Sequence, residues 1–210
     1  IAIGEALKKE ALLRGVKEDC ITVVPNGISP KLMVEKTERI DIVDVKAELN
    51  VSENTTVVGY IGSLREMEGV NQTVESVADL ISKGYDIRFF VLTGKSGQEE
   101  LKQFCEQLGI TENTVITGPV PHDMVAEYYD LIDVFVVSRP DTRVTRFVTP
   151  LKPFEAMAMG LPILVASPDG EASDLIKKHK VGIHVPAENP KKLAQAVKTL
   201  ENDFKLRASF

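Results

Sequence analysis

Tryptophan is absent from these 210 residues, cysteine occurs twice and histidine three times. Cys20 and Cys105 are too few and too far apart for a disulfide framework, and together with His122, His179 and His184 they form no metal-ligand spacing. Both cysteines are therefore expected to be small packing residues of a protein from a reducing compartment. Long apolar runs are missing too: none approaches the ~18–20 residues of a membrane-spanning helix. Excess positive charge is also lacking. At a formal net charge of -6 the chain should have no general affinity for nucleic acid or anionic lipid, so an anionic ligand must be gripped locally. The sequence does not begin with Met, and Glu5, Lys8, Lys9 and Glu10 make its first segment too charged for a signal peptide, so a cut from a longer protein is expected. With 43% hydrophobic and 27% charged residues, the chain has the composition of a soluble globular protein, long enough for one full-sized α/β domain but not two.

What is present is a regular alternation. Residues 2–14 carry Ile3, Ala6, Leu7, Ala11 and Leu12 at near-helical spacing, and Ile21-Thr22-Val23-Val24 reads as one buried strand ended by Pro25-Asn26-Gly27. Residues 28–53 are charged and irregular, a connector with one short helix around Val43 to Leu49. Beyond it, apolar β-branched runs recur at 55–62, 87–93, 114–117, 133–137, 162–166 and 181–185, with helical stretches between them. Parallel strands joined by right-handed helical crossovers follow, so the expected fold is a doubly wound, Rossmann-like α/β sheet of about six strands. Runs without polar alternation, such as Val134-Phe135-Val136-Val137, must be covered on both faces. Gly109 should close one helix, and Asn189-Pro190 should open another.

In an open parallel sheet, ligands bind beyond the C-terminal strand ends, where the winding reverses. The loops concerned are Gly62 to Gly69, Thr93 to Gly97, Gly118 to His122, Ser138 to Pro153 and Ser167 to Ser173. The fourth of these is the longest, and it concentrates Arg139, Arg143, Arg146 and Lys152 in an acidic protein. Unpaired amides at the helix start around Pro153 would add an anion site suited to phosphate or pyrophosphate. The plain alternative is a solvated basic face. Glu155 falls in the first turn of the next helix, where the helix dipole alone favours a carboxylate.

Thr149-Pro150-Leu151-Lys152-Pro153-Phe154-Glu155-Ala156-Met157-Ala158-Met159-Gly160 resembles the signature of the retaining group one (family four) glycosyltransferases of the two-domain GT-B fold. Other blocks fall in the same order: Val24-Pro25-Asn26-Gly27-Ile28 is similar to that family's hinge, and Gly59-Tyr60-Ile61-Gly62-Ser63 through Glu68-Gly69-Val70 to its glycine loop. The resemblance covers nearly all of residues 21–200. It implies that residues 1–27 are the end of an acceptor domain and hinge, 28–53 a connector, and 54–210 the C-terminal, donor-binding domain.

By the same resemblance, Glu155 accepts hydrogen bonds from the ribose hydroxyls of a nucleotide diphosphate sugar, its two oxygens suiting a vicinal diol. Gly62 and Ser63 would bring backbone amides to the phosphates, although a tight turn explains Gly62 equally well. Val148, Thr149, Pro150 and Leu151 would line the pyrophosphate and sugar, and Val120, in the turn from Gly118 to Pro121, would border the base. Three positions depart from the family: Phe147 stands where a paired acid is common, and Ser63 and Glu68 stand where many members carry Arg and Lys. Arg65, Arg146 and Lys152 are the expected replacements for that charge.

The implied activity is retaining, metal-independent transfer of a hexosyl group to a sugar, lipid-linked or small-molecule acceptor held by the missing domain, so this piece alone should be inactive. No cofactor or metal is expected, and the main catalytic groups should lie on the missing half. A cytoplasmic location is implied, with peripheral membrane attachment through that half left open. A nonenzymatic nucleotide-sugar-binding subunit and a nucleotide-sugar epimerase remain as alternatives.

Overall fold

In a computed structural model, residues 1–30, 43–52 and 54–210 are described; part of the connector expected at 28–53 lies outside them. Six strands, β1 (Thr56–Ile61), β2 (Ile87–Leu92), β3 (Thr114–Thr117), β4 (Val134–Ser138), β5 (Ile163–Ser167) and β6 (Gly182–Pro186), form one sheet in the order β3-β2-β1-β4-β5-β6. Every pairing is parallel. Each strand lies within about a residue of its apolar run, because unbroken Val/Ile/Phe stretches are stable only as strands buried on both faces. The expected doubly wound, Rossmann-like sheet is the fold.

The helices are α1 (Glu5–Leu13), α2 (Val43–Leu49), α3 (Val70–Ser82), α4 (Gln98–Gln107), α5 (Val125–Tyr129), α6 (Arg143–Phe147), α7 (Lys152–Ala158), α8 (Glu171–His179), α9 (Pro190–Asn202) and α10 (Phe204–Ala208). Successive residues of β1 point to opposite faces. Val58 and Tyr60 join one core with Val74 and Val77 of α3 and Leu193 and Val197 of α9. Val57 and Ile61 join the other, with Tyr129 of α5, Ala156 of α7 and Ile176 of α8. Each fully buried Val, Leu or Phe of these layers contributes about 1.5–3 kcal/mol. Local signals set the helix ends: Gly109 takes a φ of +69° just past α4, and the Asn189 side chain accepts the Lys192 amide at 3.0 Å before Pro190.

β1 pairs with β2 on one side and with β4 on the other, Val58 opposite Val134 and Gly59 opposite Phe135. The winding reverses between β1 and β4, so the loops that leave these two strands open onto one crevice.

Three expectations need correction. Ile21 to Val24 is not a buried strand: Val23 makes a single parallel bridge with Ala2, and Val24 is 48% exposed. It lies outside the six-stranded sheet. The stretch from Ser138 to Pro153 is not one uninterrupted loop, since Thr142 and Thr145 exchange side-chain and backbone hydrogen bonds in a capping box that starts α6. Cys105 is buried in the first core, but Cys20 is exposed. Among the described residues no helix is long and apolar enough to cross a membrane.

Candidate functional site

The glycine loop leaves β1 at Gly62, whose amide donates to the Leu92 carbonyl at 2.9 Å and so remains part of the sheet edge. The amide role expected of Gly62 is therefore already taken. Its lack of a side chain has other causes: its φ is +154°, and a Cβ there would lie 2.2 Å from Cε of Lys152 and 2.9 Å from the Tyr60 hydroxyl. Lys152 crosses Gly62, and its Nζ sits 5.7 Å from the centre of the Tyr60 ring. The Tyr60 hydroxyl in turn donates to the Ser63 carbonyl at 2.6 Å and braces the loop.

Glu68 does not face solvent. Its carboxylate receives Lys152 Nζ at 2.9 Å, and the two side chains are only 11% and 15% exposed. Arg139, the residue after β4, is 2% exposed; it donates to the Val148 carbonyl at 2.6 Å, and its Nε has no partner among the described residues. Burial lowers the Arg139 guanidinium from its ordinary value, opposed by the Glu68 charge. Burial also raises the Tyr60 phenol, as does Glu68. Tyr60, Glu68, Arg139 and Lys152 thus form one poorly hydrated charge cluster at the β1–β4 reversal. The sequence flagged Arg139 as one basic loop residue among several, and only its burial singles it out.

Glu155 lies on α7 three positions after Lys152, so both side chains share one helix face. The hydroxyl of Tyr129, on α5, donates to Glu155 Oε2 at 3.0 Å. Tyr129 is itself buried, and its phenol is raised by that burial and by the adjacent Glu155 charge. The helix start is a poorer anion site than expected. Pro153 has no N–H, and the amides of Phe154 and Glu155 turn back to the Leu151 carbonyl at 2.9 and 3.2 Å. In the preceding loop, the Val148 amide donates to Val144 and Pro150 has none to give. Of the four residues expected to line the diphosphate there, Thr149 and Leu151 keep an amide with no partner among the described residues.

The remaining candidates are not gathered around Lys152. Arg146 is exposed and forks onto Asp141, Nε to Oδ1 at 2.6 Å and a terminal nitrogen to Oδ2 at 2.7 Å. That bidentate pair holds it at the surface. Arg65 is exposed and lines a groove of about 420 Å³ between the starts of α3 and α4, with Gln72, Gly97 and Glu100. Val120 is half-buried against the second core, and Gln98 donates to the nearby Gly118 carbonyl at 3.1 Å. His122 and His179 are exposed, while His184 lies in β6 with Nε2 3.0 Å from the Ser167 carbonyl. Among the described residues no cluster of His, Cys, Asp or Glu is placed to hold a metal ion.

The far side of the α6–α7 loop is fastened to the first residues of the chain. Asn26, of the Pro-Asn-Gly turn, donates to the Thr149 carbonyl at 3.0 Å, and the Thr149 hydroxyl donates to Glu171 at 2.9 Å. The other oxygen of Glu171 accepts the Ala6 amide at 2.8 Å, and so caps α1, whose own cap residue, Gly4, offers no side chain. Arg143 of α6 pairs with Glu10 of α1. A cleft of about 260 Å³ lined by Ile3, Val23, Asn26, Thr149, Phe154 and Glu171 runs along this seam.

Residues 41–210 match the family described as glycosyl transferases group 1. The chain belongs to that family. This group 1 chain is 24% identical over 208 residues to an uncharacterized glycosyltransferase of Methanocaldococcus jannaschii, a match covering 99% of the chain and 52% of that protein. It is 25% identical over 214 residues to the capsular polysaccharide biosynthesis glycosyltransferase CapM of Staphylococcus aureus, covering 99% of the chain and 53% of CapM. The chain spans about half the length of the curated relatives it matches. Among solved structures, a glycosyltransferase from Rickettsia africae superposes with a TM-score of 0.79 at 18% identity, covering 99% of this chain and 54% of that one. Anabaena HepE in complex with UDP-glucose gives 0.75 at 20% identity, with coverages of 99% and 55%. The C-terminal domain of LpcC, a group 1 family protein of Francisella tularensis, gives 0.65 at 18% identity, with coverages of 87% and 91%. At these identities the likeness shows the fold, that of GT-B glycosyltransferases.

Proposed function

We propose that this chain is the donor-binding half of a retaining, metal-independent glycosyltransferase, and that it binds a nucleotide diphosphate sugar at the crevice between β1 and β4. The observation that carries the reading is the pairing of roles on α7: Lys152 and Glu155 share a face, at the sheet's reversal, three residues apart. A cation and a diol acceptor at that spacing suit a diphosphate joined to ribose. The likeness over 99% of this chain to HepE, crystallised with UDP-glucose, supports the same reading. Under it, residues 1–27 are the end of the acceptor domain and the hinge, and residues 54–210 are the donor domain. The acceptor, whether sugar, lipid-linked or small molecule, belongs to the other half of the protein.

As the bond from the sugar to the diphosphate breaks, negative charge develops on the leaving oxygen. Groups already aimed at it lower the barrier without reorganising. Here the amides of Ser63, Thr149 and Leu151 would serve in that way, and the Lys152 ammonium would join them on turning from Glu68. Glu155, its orientation set by Tyr129, holds the ribose and thereby places the diphosphate against Lys152. A nonenzymatic subunit of the same fold is the second reading, motivated by Phe147 in place of an acid.

The test is calorimetry of the 210-residue chain with UDP, ADP and GDP, each against its nucleoside. Micromolar-to-millimolar binding of at least one diphosphate is expected, with no transfer by this chain alone. Equal affinity for diphosphates and nucleosides would refute the donor assignment. With the acceptor half present, the anomeric configuration of the product separates retention from inversion, and absence of product would favour the subunit.

A further inference from the structure

The cation best placed for a diphosphate is already occupied. Lys152 Nζ is 2.9 Å from Glu68, both side chains are largely withdrawn from water, and the pair lies across Gly62 at the crevice. Formal charges around it come from Lys152, Arg139, Glu68 and Glu155, and they sum to zero. A pyrophosphate group bringing two or more negative charges to such a site meets no net attraction while Glu68 stays engaged.

We infer that Glu68 is an internal anion that competes with the diphosphate for Lys152; the inference rests on the donor-site reading above. An ammonium has three donors, and one points at Glu68 here. On arrival of a diphosphate, Lys152 turns wholly or partly toward the phosphate oxygens. Glu68 is then compensated by Arg139, the buried guanidinium whose charge it already feels and whose Nε has no partner among the described residues. The consequence falls on product release. After sugar transfer the nucleoside diphosphate must leave, and a carboxylate waiting beside Lys152 recaptures the ammonium and speeds departure. Glu68 therefore weakens diphosphate binding and shortens its residence.

Pyrophosphate tests this without reference to the base. Wild type and Glu68→Gln are titrated with pyrophosphate, UDP and uridine, and the rate of UDP release is followed by stopped flow. Glutamine keeps the size and an acceptor for Lys152 but removes the charge. Pyrophosphate and UDP should bind roughly tenfold more tightly to the variant, with slower UDP release and unchanged uridine affinity. Unchanged or weaker pyrophosphate binding would make Glu68 a mere strut for Lys152 and overturn the inference, while UDP binding by wild type would leave the donor assignment standing. A wild-type chain that bound no diphosphate more tightly than its nucleoside would sink both. If circular dichroism shows the glutamine variant unfolded, Glu68→Met, similar in volume, is read instead with the same expectation. On the unaltered chain, the ¹⁵N resonance of the Lys152 ammonium must shift when pyrophosphate is added; a stationary resonance rules the exchange out.

Discussion

The hydroxyl of Tyr129, a residue only 1% exposed, donates a 3.0 Å hydrogen bond to Oε2 of Glu155. A buried phenol that cannot turn elsewhere fixes the carboxylate, and under the proposed donor site its remaining lone pairs would accept from a diol. Glu155→Gln should therefore weaken nucleoside diphosphate binding by about 1.5–3 kcal/mol, the scale of a hydrogen bond to a charged group. Tyr129→Phe should weaken it by about 0.5–1.5 kcal/mol through lost orientation. In the double variant the two losses should not add, because the tyrosine acts only through the glutamate. Additive calorimetric losses would disprove that link.

The two basic residues flanking the α6–α7 loop should behave differently. Lys152→Gln should erase most of the preference for a diphosphate over its nucleoside, by roughly ten- to a hundredfold. Arg146→Ala should leave that preference intact, since its guanidinium is committed to Asp141. Titrations with UDP and uridine at low salt, where electrostatic differences are largest, measure both. A larger effect at Arg146 than at Lys152 would show that the surface pair opens to take the phosphate.

Gly62→Ala touches both fold and site. The new Cβ would meet Cε of Lys152 at 2.2 Å and the Tyr60 hydroxyl at 2.9 Å, at a backbone φ of +154° that disfavours a side chain. The lysine can swing away, but the buried tyrosine and the backbone cannot, so the melting temperature should fall by several degrees and pyrophosphate affinity by roughly tenfold. Loss of stability with unaltered pyrophosphate affinity would mean that the glycine serves the strand ending and not the lysine.

No residue of α1 is buried, so the helix depends on polar fastenings. Glu171→Ala removes both the cap on Ala6 and the partner of Thr149. Limited proteolysis should then cut within Glu5–Leu13 several-fold faster, with the thermal unfolding of the sheet shifted by about 1 kcal/mol or less. Unaltered cleavage would mean that Arg143, Asn26 and the Ala2–Val23 bridge suffice to hold the segment.

The two thiols should react at very different rates. Cys105 is buried, and its thiol is pushed up from the ordinary value by that burial, against a smaller opposing effect of its contact with Thr114. Cys20 is exposed. At pH 8 a disulfide reagent should titrate one thiol rapidly and the other only on unfolding. Mass spectrometry of the labelled peptides identifies which.

The strand positions were legible because an uninterrupted run such as Val134-Phe135-Val136-Val137 has one stable fate, burial between two layers, and that property is local. Gly109 and Asn189-Pro190 marked helix ends for equally local reasons. The same local logic failed at Ile21 to Val24: an apolar run reads as buried wherever it occurs, but burial requires a covering layer, and only the arrangement of distant elements supplies one.

Around the candidate site the division is sharper. The sequence alone determined a six-stranded parallel α/β sheet and the loops that face its crevice, since periodicity and the rule that winding reverses at a binding edge need no distances. It also marked Lys152 and Glu155 by their place at a helix start. What each charge does was decided by tertiary structure. Glu68, 84 positions away in the chain, meets Lys152 because β1 and β4 are neighbours in the sheet, while Arg146 is claimed by Asp141 five positions earlier. A side chain's charge is written in the sequence, but its partner depends on which atoms the packed strands bring within hydrogen-bonding reach and on how little water is left around them.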